Sequence, residues 1–162
     1  MGRRPDRNDR VMRIELDDLS RPEVIALVEY HLRSMHEISP PDSVFALDLT
    51  GLKHPNVSFW TIWEGDDLLG MGGLKQLDDR HGEIKSMRTA PAALRRGAGG
   101  AMLDHILAEA RARGYRRLSL ETGSNAPFAP AWAMYERAGF APCAPFGSYT
   151  DTSFSRYFTL EI

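Results

Sequence analysis

Between Gly82 and Thr122 the chain reads strand, helix, strand, and that order leaves few topologies open. Gly82 to Thr89 suits a strand, and from Gly97 to Arg113 the residues Met102, Leu103, Ile106, Leu107 and Ala110 recur on one helical face. Gly114 follows where a left-handed C-cap is expected, and Arg116 to Thr122 alternates as a further strand. A helical crossover of this kind makes its two strands parallel, with a right-handed connection. The join between first strand and helix is Arg88-Thr89-Ala90-Pro91-Ala92-Ala93-Leu94-Arg95-Arg96-Gly97-Ala98-Gly99-Gly100. Its glycines allow close approach to the backbone, the first helical amides have no internal partners, and the helix dipole adds positive potential. The segment therefore predicts a phosphate site on Gly97, Ala98, Gly99 and Gly100, to which Arg95 and Arg96 can add charge-assisted hydrogen bonds. It is neither a dinucleotide fingerprint, which wants glycine where Met102 stands, nor a Walker loop, which wants Gly-Lys followed by Ser or Thr.

Around this crossover the pattern is mixed. Val11 to Leu16 alternates as a half-buried strand. Ser20-Arg21-Pro22-Glu23 has capping-box form, and Val24, Leu27, Val28, Leu32 and Met35 follow at helical spacing. Ser39-Pro40-Pro41-Asp42 interrupts that helix, and Ser43 to Leu49 is expected to form a shorter one. Asn56 to Trp63 and Leu68 to Leu77 read as a hairpin around Glu64-Gly65-Asp66-Asp67. Ala131 to Ala138 is a short helix stopped by Gly139, and Phe140 to Phe146 with Phe154 to Ile162 look like a final strand pair. The fold class expected is α/β (α+β): a mixed, mostly antiparallel sheet with one parallel β-α-β crossover and helices on both faces.

Length and composition set the remaining bounds. A chain of 162 residues, 43 % hydrophobic and 26 % charged, suits one globular domain, taken as residues 11–162, after a basic tail at residues 1–10. That tail holds four of the arginines but no aromatics, so a nucleic-acid arm is weakly supported. Without it the body has 16 basic and 20 acidic residues, a balance that disfavours a phosphate backbone as partner. No apolar run is long enough for a membrane span. Cys143 is the only cysteine, which excludes an internal disulfide and suits a cytoplasmic setting; its expected role is a small, partly buried side chain. His31, His36, His54, His81 and His105 show no metal-ligand spacing, most of them are read as surface or loop residues, and no metal is expected. Trp60, Trp63 and Trp132 are assigned to the core or a pocket wall.

Taken in order, Glu83, the Gly97-Ala98-Gly99 turn, the crossover and Tyr135-Glu136-Arg137-Ala138-Gly139-Phe140 resemble the GNAT superfamily of N-acetyltransferases. Two positions depart from its pattern. Leu94 stands where the family usually has glutamine or arginine, and Phe128 where many members have asparagine, with Asn125 three residues earlier as a substitute. The resemblance implies acetyl-CoA (coenzyme A) as cofactor. Its pyrophosphate would lie on the glycine turn and its pantetheine arm along the backbone of Met87, Arg88 and Thr89, with Asn125 also toward the cofactor.

The resemblance further implies transfer of an acetyl group to a small-molecule or peptide amine, and direct transfer in a ternary complex is expected because the sole thiol, Cys143, has no visible activating partner. Tyr135 would protonate the departing thiolate, and Glu83 would act as base, with Glu121 a second candidate or a water relay in its place. A plain structural role for Glu83 is pairing with Lys85 or Arg80, and Tyr149 is either a turn residue or part of the acceptor site. A homodimer fits the family's habits. An inert acyl-CoA-binding or sensor module is the alternative reading.

Overall fold

The computed structural model describes residues 11–162; the expected basic tail, residues 1–10, lies outside the described residues. Among the described residues, seven strands form one sheet. They are β1 (Met12–Leu16), β2 (Val57–Glu64), β3 (Asp67–Gln76), β4 (His81–Thr89), β5 (Arg117–Gly123), β6 (Ala141–Cys143) and β7 (Ser155–Glu161), in the order β1-β2-β3-β4-β5-β7-β6. Only β4 and β5 pair in parallel; the other pairs are antiparallel. Four helices complete the fold: α1 (Pro22–Ile38), α2 (Leu49–Leu52), α3 (Ala98–Ala112) and α4 (Ala129–Arg137).

The sheet separates two cores, one for each face. Met102, Leu103 and Ile106 of α3 pack with Leu118, Leu120 and Phe158 of the sheet and with Tyr135 of α4. On the other face Val24, Leu27 and Val28 of α1 meet Phe59, Trp63 and Met71. The apolar period of α3 therefore does what its spacing predicts and buries one side, whereas β5 is covered on both faces, with Ser119 buried opposite Leu118 and Leu120. Trp60 and Trp63 are core residues, and Trp132 is half-buried.

Two local expectations are corrected. The capping box at Ser20 does not form: Pro22 occupies the first helical position, so the N-cap falls on Arg21, which makes no side-chain cap. Ser20 instead donates its hydroxyl to Asp18, and Arg21 closes over Asp17 at 2.8 Å. The helix expected at Ser43 to Leu49 is also absent. Pro41–Ser43 is a 3₁₀ turn, the chain then runs extended, and the helix starts only at Leu49, where the Asp48 side chain accepts from the Gly51 amide at 2.8 Å. That extended segment is held to the sheet by Lys85, whose ammonium donates to the Phe45 carbonyl at 3.0 Å, so a tertiary contact overrides local helical preference.

The feature that positions the site is a bulge in β4. Between the pairs Met71↔Arg88 and Gly73↔Lys85, β4 carries one more residue than β3, and Ser86 takes a positive φ of 55°. Alternation alone would set Arg88 on the same face as Ile84. The extra residue reverses this, so that Glu83, Lys85 and Arg88 face α1, while Met87 turns toward α3. A Cβ added to Gly72 would lie 2.7 Å from both Met87 Sδ and Met102 Cγ, so this crossing of β3 needs glycine.

Candidate active site

β4 and β5 pair only from His81 to Glu83, against Arg117 to Ser119. Beyond Glu83 the strands separate, and a cavity of about 580 Å³ opens between them. Its walls come from the C-terminal half of α1, the Val44–Ala46 segment, the far halves of β4 and β5, and the N-terminal parts of α3 and α4.

The α3 side has the character of an anion site. Gly97 caps the helix at φ 82° with no side-chain cap, and Arg95 before it is also left-handed at φ 66°. The first intrahelical bond recorded there runs from Ala101 N to Gly97 O at 3.1 Å, which leaves the amides of the first turn without helical partners. Gly99 lines the cavity, and a Cβ there would approach Met134 Sδ at 3.3 Å and Thr89 Oγ1 at 3.6 Å, filling space that a ligand can use. The uncapped turn and the inner edge of β4 beyond Glu83 both leave backbone groups unpaired toward the cavity.

Among the residues singled out from sequence, Glu83, Met87, Arg88, Thr89, Ala98, Gly99 and Tyr135 line this cavity. Gly97 and Gly100 belong to the turn without lining it, and Arg95 and Arg96 are exposed beside it. Asn125 does not line it. Its Nδ2 donates to the Ile38 carbonyl at 2.8 Å, which ties the end of α1 to the loop after β5, and its Oδ1 is buried without a partner. Phe128 is explained by packing, since it lies edge-on to Phe154 and a Cβ on Gly123 would sit 2.2 Å from its ring.

Two carboxylates reach the cavity from the α1 face of the sheet, and their surroundings differ. Glu83 is buried at the last paired position; its Oε2 accepts from Lys85 Nζ at 3.3 Å and from the Tyr149 hydroxyl at 2.5 Å. Lys85 is itself fully engaged, donating to Phe45, Glu83 and, at 2.9 Å, Tyr149. Tyr149 packs edge-on against Phe45 and Phe146, and burial next to Glu83 pushes its hydroxyl to higher pKa. It is thus part of this network rather than a plain turn residue. Glu121 lies two residues beyond Ser119, where β5 has left β4, and burial pushes its carboxyl up to about 7, with Ser155 and Lys85 opposing and Glu83 reinforcing the rise.

Tyr135 enters from α4, 4 % exposed and edge-on to Phe140. Burial raises its pKa, so the phenol keeps its proton. Cys143, half-buried on the short strand β6, has its thiol raised by burial, the opposite of an activated nucleophile.

Sequence reasoning missed His31. It is 7 % exposed on the inner face of α1, not a surface or loop residue, and its Nδ1 accepts from Arg88 Nε at 2.9 Å. Burial and the nearby Arg88 and Lys85 charges push it down to about 3, so it is neutral. The signal was available, because His31 is four residues after Leu27 on the buried stripe. Among the described residues no cluster of His, Cys, Asp and Glu could hold a metal, and no helix is long and apolar enough to cross a membrane.

A seven-stranded mixed sheet with one parallel pair that splays before an uncapped helix is the fold of a solved acyl-CoA N-acyltransferase from Klebsiella pneumoniae, which this chain matches with a TM-score of 0.74 at 24 % identity over 93 % of this chain and 97 % of that one. The model of the acetyltransferase (GNAT) family matches residues 19–140, and the chain belongs to that family. It is 51 % identical to an uncharacterized N-acetyltransferase, YsnE, of Bacillus subtilis, over 93 % of this chain and 100 % of that one. It is 50 % identical to an uncharacterized N-acetyltransferase, YedL, of Escherichia coli, over 92 % and 94 %. Among solved structures it resembles a Bacillus subtilis acetyltransferase in complex with CoA, with a TM-score of 0.67 at 18 % identity, covering 94 % of this chain and 99 % of that one. The protein is therefore an acetyltransferase that acts on an acceptor, and its mixed sheet with one parallel pair is the family's fold.

Proposed function

We propose that residues 11–162 act as one domain that moves an acetyl group from acetyl-CoA to the amine of a small-molecule or peptide acceptor, directly and within a ternary complex. The observation that carries this reading is the single cavity that joins the uncapped α3 turn to Tyr135 and Glu121. CoA bound in the Bacillus subtilis structural neighbour supports the choice of cofactor. Acetyl-CoA, when bound, supplies the activated acyl group.

The first-turn amides Ala98, Gly99 and Gly100 would hold the pyrophosphate, with Arg95 and Arg96 beside them, and the inner edge of β4 at Met87, Arg88 and Thr89 would align the thiol arm. Glu121 takes the proton from the attacking amine. A carboxyl near 7 accepts such a proton far better than one near 4.5, and its place past the last paired residue gives it access. Glu83, the base expected from sequence, is better suited to anchoring, because Lys85 and Tyr149 already occupy its Oε2. Tyr135 holds a proton on its phenol oxygen and donates it to the leaving sulfur, so that neither thiolate nor ammonium is released into a half-closed cavity. Asn125 acts at one remove, by fixing the end of α1 that walls the site.

Incubation of the protein with acetyl-CoA and a panel of amines tests the proposal. The expected result is acetylated amine, identified by mass spectrometry, in equal yield with free CoA thiol. Binding of acetyl-CoA with no acetylated product from any amine would favour the inert binding module instead.

A further inference from the structure

Among the described residues no carboxylate forms an ion pair with Arg88. Its side chain is half-buried, lines the cavity and donates from Nε to neutral His31, while its guanidinium carbon lies 5.4 Å from the centre of the Tyr30 ring. None of the carboxylates that line the cavity, Glu37, Glu83 and Glu121, lies within salt-bridge distance of it. Lys85, the other cation of that wall, is consumed by Glu83, Tyr149 and the Phe45 carbonyl. A partly desolvated guanidinium without a counter-charge is costly, and its planar fork matches a carboxylate. Here the contact through Nε fixes the fork while leaving the two terminal nitrogens for a ligand.

The bulge at Ser86 decides which ligand that is. It turns Arg88 to the α1 face of the sheet, the face that also bears Glu121, whereas the glycine turn belongs to α3 on the other face. The backbone of β4 can serve the cofactor while the Arg88 side chain serves the acceptor. The acceptor half of the cavity then offers a cation at one place and a proton-accepting carboxylate at another. We propose that the acceptor is an amino carboxylic acid whose carboxylate pairs with Arg88 while its amine lies toward Glu121. This rests on the acetyl-transfer reading above and narrows its acceptor class.

The test compares free amino acids with their carboxamides, which keep the amine but replace the carboxylate by a neutral group. CoA release is followed at saturating acetyl-CoA. The expected result is at least one pair in which kcat/KM favours the acid by about tenfold or more, as one charge-assisted pair provides. Arg88→Gln should bring that ratio close to one, and Arg88→Lys should keep part of it. If the glutamine variant fails to fold, the parent ratio and the lysine variant still decide. The proposal is overturned if no pair favours the acid, if the preference survives Arg88→Gln, or if that variant raises only the KM for acetyl-CoA. Turnover confined to amines without a carboxylate would overturn it while leaving acetyl transfer standing; no turnover on either set would overturn both.

Discussion

Glu121→Gln separates this half-buried carboxyl from every other titrating group in the chain. In the folded protein this carboxyl titrates at about 7, against 4.5 for the free group, because burial penalises its charged form. Between those values the folded state binds the proton more tightly than the unfolded one. Its contribution to stability is therefore complete below about pH 4.5 and is lost as the pH rises through 7. At about 1.4 kcal/mol for each pKa unit the whole loss is about 3.5 kcal/mol, of which about 2.5 kcal/mol falls between pH 5 and pH 8. Glutamine keeps the shape and does not titrate. Urea denaturation of parent and variant at both pH values should thus show the parent losing about 2.5 kcal/mol relative to the variant. The same substitution should lower kcat by about 10²-fold or more and remove an inflection near pH 7 from kcat/KM. A stability difference between the two proteins that is the same at pH 5 and pH 8 would refute the burial argument, whatever the activity does.

Tyr135→Phe keeps the buried ring and its contact with Phe140 but removes the proton donor, so kcat should fall by about 10²-fold or more with little change in melting temperature; kcat within about threefold of the parent would remove Tyr135 from the mechanism. Cys143→Ala should retain most activity, since direct transfer needs no thiol, and ping-pong kinetics with an acetylated Cys143 peptide would contradict it. Gly97→Ala meets no atom within 4 Å but forces alanine to φ 82°, so chemical denaturation should show a loss of about 1–2 kcal/mol; an unchanged midpoint would mean the turn relaxes freely.

What the sequence reveals here is periodic or local, and what it hides depends on register. The stripe of Met102, Ile106 and Ala110 and the alternation of Arg116 to Thr122 carry the crossover, because each needs only its own spacing. The glycine turn is legible for the same reason, its amides being free wherever such a helix begins. The bulge at Ser86 has no local mark: serine is an uncommon residue at positive φ, and the extra residue appears only when β4 is laid against β3. With it went the placement of Arg88 and its partner His31. The ranking of Glu83 and Glu121 was hidden likewise, since it turns on where β4 and β5 stop pairing and on Tyr149, which folds back from 66 residues away. Ser20 shows the converse, a sound local pattern displaced by a proline two residues on.

The central claim, that this cavity holds acetyl-CoA by the start of α3, is tested most directly by calorimetric titration of acetyl-CoA into the parent and Gly99→Glu. The new Cβ would sit 3.3 Å from the flexible Met134 sulfur, so the fold should tolerate it, while the carboxylate enters the space proposed for the pyrophosphate. The account predicts saturable binding by the parent and none by the folded variant; equal affinity in both would contradict it.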